Sequence, residues 1–168
     1  MRRVVDIVVA IVVMIVVAPV VAIVSILILT RMGQPVLFRQ CRVGRGGALF
    51  TVVKFRTMRP QRWPGQRDDQ RIPRLGAFLR ASSLDELPQL WNILRGDMSL
   101  IGPRPTLPEQ VEHYTRRQRG RLAIRPGLTG WAQVNGRNSI SWPERIELDL
   151  WYIEHRSASL DMKILLRT

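Results

Sequence analysis

Two adjacent carboxylates, Asp85 and Glu86, lie in a stretch from Arg80 to Pro105 that reads RASSLDELPQLWNILRGDMSLIGPRP. Arg80 precedes them, and Arg95, Asp97 and Arg104 follow. Arginine is suited to bidentate contact with phosphate, so an acid pair set among arginines is a place where carboxylates and a phosphate-bearing partner could meet. A purely structural role fits the same residues. Ser83 and Glu86 have capping-box spacing, in which Glu86 only ties off a backbone donor. Pro88 makes that cap awkward, because with Ser83 as N-cap it falls where a backbone donor is needed. With Asp85 as N-cap, Pro88 falls among donors that are unpaired anyway. The local pattern is compatible with both. Further upstream, Lys54 and Arg56 alternate on one face of a strand-like run, where they would either line a phosphate site or remain solvated.

The elements that must position these groups are read from periodicity. Leu84, Leu87, Trp91 and Leu94 recur at i, i+3, i+7 and i+10, which predicts a helix with that stripe toward a core and the acid pair on its first turn. Val36 to Met58 reads as two strands around the Arg45-Gly46-Gly47 turn, with Cys41 a small half-buried strand residue. Arg74 to Arg80 is a short helix, and Pro60 to Pro73 a loop without periodicity. A helix is expected over roughly Pro108 to Ala123, with Glu109 and Glu112 early and Arg116, Arg117, Arg119 and Arg121 late, as the helix dipole favours. That basic run is a solvated face or, beside a membrane segment, a contact for lipid headgroups. Arg125 to Asn138 (RPGLTGWAQVNGRN) is dense in glycine around one short strand, and small residues there let backbone approach a ligand. No Gly-Lys-Ser/Thr follows it, so it is not a P-loop. Ser141 and Glu144 cap a last helix running to about His155, with Ile146, Leu150 and Ile153 on one face. Taken singly, Asp149 and Asp161 read as surface or capping residues.

Ile7 to Thr30 has no charged residue and is long enough to span a bilayer, which takes about 20 residues. Pro19 divides it into halves of about 12 residues, each about 18 Å long and short of the roughly 30 Å hydrocarbon core. Arg2 and Arg3 flank one end and Arg31 the other, so charge gives no orientation. A helix broken at Pro19 that enters and leaves by one face satisfies both observations. A spanning helix that tolerates its proline satisfies the length. Asp6 requires a partner at the interface, with Arg2 and Arg3 the nearest candidates.

At 168 residues the chain is sized for one modest domain besides that segment. Its net charge of +13 is almost all arginine, which points to phosphate-rich partners: lipid headgroups, nucleotides or nucleic acid. One cysteine excludes an intrachain disulfide framework, and two histidines make a zinc site improbable.

Arg3 and Asp6 before an apolar segment, KFRTM at 54–58, SLDELPQLWNILRGDMSLIGPRP at 83–105 and RPGLTGWAQVNGR at 125–137 together resemble the bacterial sugar transferases. These are the monotopic phosphoglycosyl transferases acting on polyprenol phosphate. The likeness runs in order over almost the whole chain, at the size of the minimal catalytic-core members. NGRNSISWPERIELDLWY is most similar to those that transfer acetamido-sugar phosphates. The resemblance implies a mainly helical α+β fold, with residues 1–32 a re-entrant membrane helix kinked near Pro19. Residues 33–168 would be a small membrane-associated catalytic domain containing a β-hairpin, on the cytoplasmic face of the bacterial inner membrane. It implies a UDP-sugar donor, release of UMP, a polyprenol phosphate acceptor such as undecaprenyl phosphate, an anionic bilayer as partner and Mg2+ as cofactor. Asp85 would be the nucleophile and Glu86 the magnesium ligand beside it. Lys54, Arg80, Arg104, Arg137 and Asp161 match positions around the family's substrate site. One departure is Ala18, where the family often has serine before the proline. The chemistry is consistent: a carboxylate attacking a diphosphate needs cations, and covalent catalysis lets a soluble donor and a lipid acceptor react in turn. A non-catalytic membrane scaffold would leave the acid pair and the glycine-dense segment idle. A nucleic-acid binder would leave the apolar N-terminus unexplained.

Overall fold

The apolar N-terminus forms one long helix, and the rest of the chain packs along one side of it. In the computed structural model, which describes residues 2–136 and 139–168, α1 runs Arg2–Met32. At 1.5 Å per residue it is about 46 Å long. Pro19 lies inside it and does not divide it into two elements; its missing N–H removes one rung of a helix otherwise held along its length. Asp6, Ala10, Val24 and Ile28 are buried against the domain, with Val13, Met14, Val17 and Val21 partly buried between them. These positions repeat at helical spacing, so a single stripe makes the contact. The other faces carry exposed Val8, Ile11, Ile15, Val16, Ile23 and Ile26, and no other helix among the described residues is long and apolar enough to cross a membrane.

Polar groups pin both ends of α1. Asp6 does not pair with Arg2 or Arg3; it accepts from Ser99 Oγ (2.7 Å) and from the Leu100 N–H (3.1 Å). Arg3 reaches the carbonyls of Ile93 and Leu94, and Arg2 lies 3.3 Å from Asp161. At the far end Arg56 is buried and donates to the carbonyls of Met32 (2.6 Å), Gly33 (2.6 Å) and Gln34 (3.1 Å). A cation on the last carbonyls of a helix satisfies orphan acceptors and opposes the dipole. Arg56 therefore neither lines a phosphate site nor faces solvent.

Strands β1 (Leu37–Val43) and β2 (Leu49–Phe55) form the expected antiparallel hairpin, with Cys41 exposed on β1. Helix α2 (Arg74–Ala81) is followed by a 3-10 turn, Leu84–Glu86, and then α3 (Gln89–Arg95). The expected stripe on α3 is out of phase. Leu90 and Ile93 are buried, whereas Trp91 is 54% exposed. The helix starts anew at Pro88 after the 3-10 turn, so its phase does not carry through from Leu84.

Strands β3 (Ser99–Ile101) and β4 (Gly127–Thr129) pair in parallel. Here the glycine-dense segment finds its use. A Cβ on Gly127 or Gly130 would collide with the backbone of Gly102, so these glycines let two chain segments touch. The expected helix over Pro108–Ala123 is instead α4 (Pro108–Glu112) and a separate 3-10 turn, Gln118–Leu122. A short helix α5 (Trp131–Asn135) precedes α6 (Trp142–Glu154), which has the predicted Ser141–Glu144 capping box. Ile146 and Leu150 are buried in it as expected. Helix α7 (Ala158–Arg167) closes the fold, with Ile164 in the core shared by α1, α3 and Tyr152. The architecture is α+β and mainly helical.

Candidate active site

The acid pair is placed by a sharp turn between two helices. Gly76 in α2 sits so close to the Thr57 carbonyl that a side chain there would collide with it. That approach lets Arg80, one turn on, donate from Nε to Thr57 Oγ1 (2.8 Å). Ser83 then adopts φ +57, a left-handed conformation that costs a non-glycine residue about 1–3 kcal/mol and tends to persist at functional sites. Its hydroxyl caps nothing, so the capping-box reading fails. Asp85 and Glu86 stand instead in the 3-10 turn ahead of α3, with Pro88 as the α3 N-cap. Buried Asn92 fixes α3 to the hairpin, donating to the Thr51 carbonyl (2.7 Å) and accepting from the Val53 N–H (3.2 Å). This contact sets β2, and with it Lys54, against the acid pair.

The two carboxylates have opposite surroundings. Glu86 Oε1 accepts from Lys54 Nζ at 2.7 Å and from Arg104 Nη2 at 2.6 Å. Burial alone would raise its pKa, but Arg104 and Lys54 together outweigh that and hold it below the ordinary glutamate value. Asp85 is only 9% exposed, and among the described residues no donor hydrogen-bonds to its carboxylate. Burial pushes its pKa up; Lys54, Arg80 and Arg104 pull it down and Glu86 adds to the rise, with a net shift upward. Neighbouring acids driven apart in this way are suited to different roles. Glu86 is the fixed anion that organises cations. Asp85 is a desolvated, unbound carboxylate, the state in which a carboxylate nucleophile is least shielded.

As a metal site the donor set fits magnesium used in partnership with phosphates. Two adjacent carboxylates are enough when a substrate's oxygens complete the shell. Glu86 Oε2 and the Asp85 oxygens are the atoms left to serve, since Lys54 and Arg104 occupy Glu86 Oε1. No cluster of three or more acidic, histidine or cysteine side chains exists among the described residues, so a closed protein cage is not the arrangement here.

Of the other residues singled out in the sequence, Lys54, Arg80 and Arg104 converge on the pair. Asp161 bonds elsewhere, accepting from Tyr152 Oη (2.6 Å) and pairing with Arg2. Arg137 lies outside the described residues. Arg95 pairs loosely with Asp97 at 3.6 Å, away from Glu86 in its bonding.

Two residues that read as surface charges prove to be structural to the site. Arg121 (2% exposed) and Asp149 (1%) are fully buried and paired, Nε to Oδ2 at 2.6 Å. Arg121 also donates to Tyr114 Oη (2.8 Å) and, through Nη2, to the backbone carbonyl of Arg104 (2.9 Å). The pair thus holds the Pro103–Pro105 segment from behind while the Arg104 side chain clamps Glu86. Arg121 is the fourth arginine in a run that looks solvated, and only the break of the helix after α4 turns it inward. The one hint in the sequence was an aspartate, Asp149, beside the apolar face of α6.

The whole chain, residues 1–168, matches the family model described as bacterial sugar transferase. It is 42% identical over its full length to an uncharacterized sugar transferase, EpsL, of Bacillus subtilis (strain 168), covering 85% of that protein. It is 44% identical, over 99% of its length, to the UDP-glucose:undecaprenyl-phosphate glucose-1-phosphate transferase of Caulobacter vibrioides, covering 67% of it. Against the undecaprenyl-phosphate galactose phosphotransferase of Salmonella typhimurium the identity is 38% over 83% of the chain and 34% of the larger protein. A match of this extent, with the KFRTM, Asp-Glu and Pro-Arg-Pro segments meeting at one buried site, makes the chain a member of the bacterial sugar transferase family.

Proposed function

We propose that this protein transfers a sugar 1-phosphate from a UDP-sugar to a membrane polyprenol phosphate, undecaprenyl phosphate in the first instance, at the cytoplasmic face of the inner membrane. The observation that carries the reading is the buried Asp85 carboxylate, free of hydrogen-bond donors among the described residues and surrounded by three cations. The names of the relatives from Caulobacter and Salmonella support the substrate classes.

The chemistry follows in two steps. An Asp85 oxygen forms a bond to the sugar-bearing phosphorus, and the bond from that phosphorus to the bridging oxygen breaks, releasing UMP. The acceptor's phosphate oxygen then attacks the same phosphorus, and the Asp85 carboxylate is restored. Lys54, Arg80 and Arg104 offset the repulsion between carboxylate and diphosphate. Glu86 keeps Lys54 and Arg104 in place, and Arg121 fixes the Arg104 backbone. Magnesium bound by Asp85 and Glu86 would supply further neutralisation of the phosphate oxygens.

A re-entrant α1, bent at Pro19 where the helix lacks a backbone donor, suits this acceptor, because it sets the site at the level of a lipid phosphate. Two observations support it. Both ends of α1 are tied to the same domain, through Arg3 and Asp6 at one end and Arg56 at the other, and the buried stripe runs the length of the helix. A helix leaving the domain to cross the bilayer alone would bury only one end.

The test is intact-mass analysis after mixing detergent-solubilised protein with a UDP-sugar and magnesium but no acceptor. A sugar-phosphate adduct is expected on the wild type and none on Asp85→Asn. Full turnover by Asp85→Asn would refute the nucleophile. For topology, single cysteines placed before Ile7 and after Thr30 should label from the same side of sealed vesicles; labelling from opposite sides would exclude re-entry.

A further inference from the structure

Thr57 is a buried residue close to the acid pair, and the reading above gives its hydroxyl no task. It lies two residues beyond Phe55, the last residue of β2, and is 6% exposed. Its place is fixed from several directions. The Arg56 side chain before it is bonded to the carbonyls that end α1, and Phe55 packs with Leu79 of α2 in one apolar cluster. Its own carbonyl lies against Gly76 of α2, where any Cβ would collide with it. Packing and backbone approach thus already join this segment to α2. The bond from Arg80 Nε to Thr57 Oγ1 (2.8 Å) adds little to that joining.

What the bond does fix is Arg80. This residue is exposed, and an arginine side chain left to itself samples many rotamers. Anchored at Nε, its planar guanidinium has one edge on Thr57 and keeps the opposite edge, Nη1 with Nη2, for another partner. Among the described residues no acceptor meets that edge, and no carboxylate lies within ion-pair distance of Arg80.

The other two cations around Asp85 are engaged differently. Lys54 Nζ and Arg104 Nη2 are both bonded to Glu86 Oε1, so Arg80 alone of the three binds no carboxylate among the described residues. Asp85 has no donor among those residues either, although the charge of Arg80 acts on it. A guanidinium and a carboxylate that are near and do not pair leave room between them for a third group. A phosphate is the group such a pair would take, with two oxygens on the guanidinium fork and its phosphorus toward the carboxylate.

We propose that Thr57 is a positioning residue: by holding Arg80 at Nε it turns the Nη1–Nη2 edge to the sugar-bearing phosphate of the donor. This rests on the reading of the site as a UDP-sugar transferase. Thr57 touches neither substrate nor Asp85 and acts through Arg80. A lysine at position 80 keeps the charge but has no Nε–H for Thr57 to accept and no fork for the phosphate, so that exchange is not conservative here. The contact forms when the donor binds and persists as the phosphate reacts. Its loss therefore shows in the donor concentration required and much less in the rate of the saturated enzyme.

The experiment uses the full chain in detergent with magnesium. Calorimetric titration uses UDP, which carries the attacked phosphorus without a sugar. Its affinity should fall at least tenfold in Thr57→Val and in Arg80→Lys, and stay within threefold of the wild type in Thr57→Ser. In an Arg80→Gln background, Thr57→Val should change UDP affinity less than twofold. Rapid-quench mass analysis uses UDP-glucose or UDP-N-acetylglucosamine, whichever forms the adduct on the wild type. There Thr57→Val should raise the half-saturating donor concentration at least tenfold and lower the saturated rate less than threefold. If Thr57→Val fails to fold, Arg80→Lys, a change at an exposed position, carries the same comparison. Wild-type UDP affinity in Thr57→Val or in Arg80→Lys would overturn the proposal, as would a Thr57→Val effect of equal size with and without Arg80. If the wild type formed no Asp85 adduct but bound UDP in this Thr57- and Arg80-dependent way, the covalent reading would fall and the role of Thr57 would stand.

Discussion

Neutralising Asp85 and neutralising Glu86 should shift the protein's stability in opposite directions. Asp85 is a largely buried charge without a hydrogen-bond donor among the described residues, its oxygens keeping some solvent contact, and a fully buried unsatisfied acceptor costs about 1–3 kcal/mol, more when charged. Attraction to Lys54, Arg80 and Arg104 returns part of that, so Asp85→Asn should stabilise by about 1–2 kcal/mol. For a chain of this size that raises Tm by roughly 2–8 °C. Glu86→Gln removes the anion shared by Lys54 and Arg104 and leaves two cations facing each other. Breaking a fully buried pair costs about 3–5 kcal/mol; Arg104 is 41% exposed here, and discounting for its screening leaves about 2 kcal/mol of destabilisation. The pH dependence separates the two. Asp85 has a raised pKa, so its penalty exists when it is ionised and disappears as pH falls through that raised value. Glu86 has a depressed pKa, so its contribution is full above its unfolded pKa and is lost as pH falls through the lower folded value. On acidification the wild type should therefore close its gap with Asp85→Asn first and its gap with Glu86→Gln later. Differential scanning fluorimetry in detergent from pH 8 to pH 4 measures both gaps. Equal destabilisation by the two variants at pH 7.5 would refute the view of Asp85 as the strained member of the pair.

Other consequences follow from the same geometry. Lys54→Met removes the largest influence that lowers the Asp85 pKa, so the acid limb of adduct formation should move to higher pH, and Lys54→Arg should restore much of it. Arg56→Gln strips the carbonyls of Met32, Gly33 and Gln34 of their donors, and should cost about 2–4 kcal/mol while speeding hydrogen exchange over residues 26–33. Arg121→Met leaves Asp149 buried and unpaired and should destabilise by about 3–5 kcal/mol. Combining it with Asp149→Leu should recover most of that stability but not the adduct rate, because the Arg104 carbonyl still lacks its donor.

The sequence was most informative where a residue's role is local. The hairpin, α2 and the Ser141–Glu144 cap depend on alternation, helical spacing and short-range hydrogen bonds, and all are present as read. The acid pair among arginines was compatible by its own pattern with chemistry or with a helix cap, and only the family resemblance joined Lys54 and Arg104 to it. What was not legible depends on partners distant in the chain. Strands β3 and β4 are three residues each, too short to have a period, and are held by the Gly102–Gly127 approach. Arg121 and Asp149 resemble any surface pair until the break after α4 turns one toward the other. Read locally, Asp6 needs Arg2 or Arg3, but its donors are Ser99 and the Leu100 N–H. The α3 stripe was misphased because a 3-10 turn does not keep the 3.6-residue count.

The Asp6–Ser99 contact also sets an order of events during synthesis. The acid leaves the ribosome 93 residues before the hydroxyl that will receive it. At about 5–20 residues per second, α1 must wait roughly 5–20 s for its partners on β3 and α3. Throughout that interval a long apolar helix lacks the domain surface that will cover its buried stripe, and its aspartate has no fixed partner. On the proposed membrane reading, the bilayer is the holding site in which α1 awaits its domain. The last turn of α3, at the end of that helix away from the acid pair, then docks onto α1 through Arg3 and the Ile93 and Leu94 carbonyls. The end of α3 is in this way completed only once α1 is in place, whereas the 3-10 turn at its start is set by the hairpin, through Asn92 and Lys54.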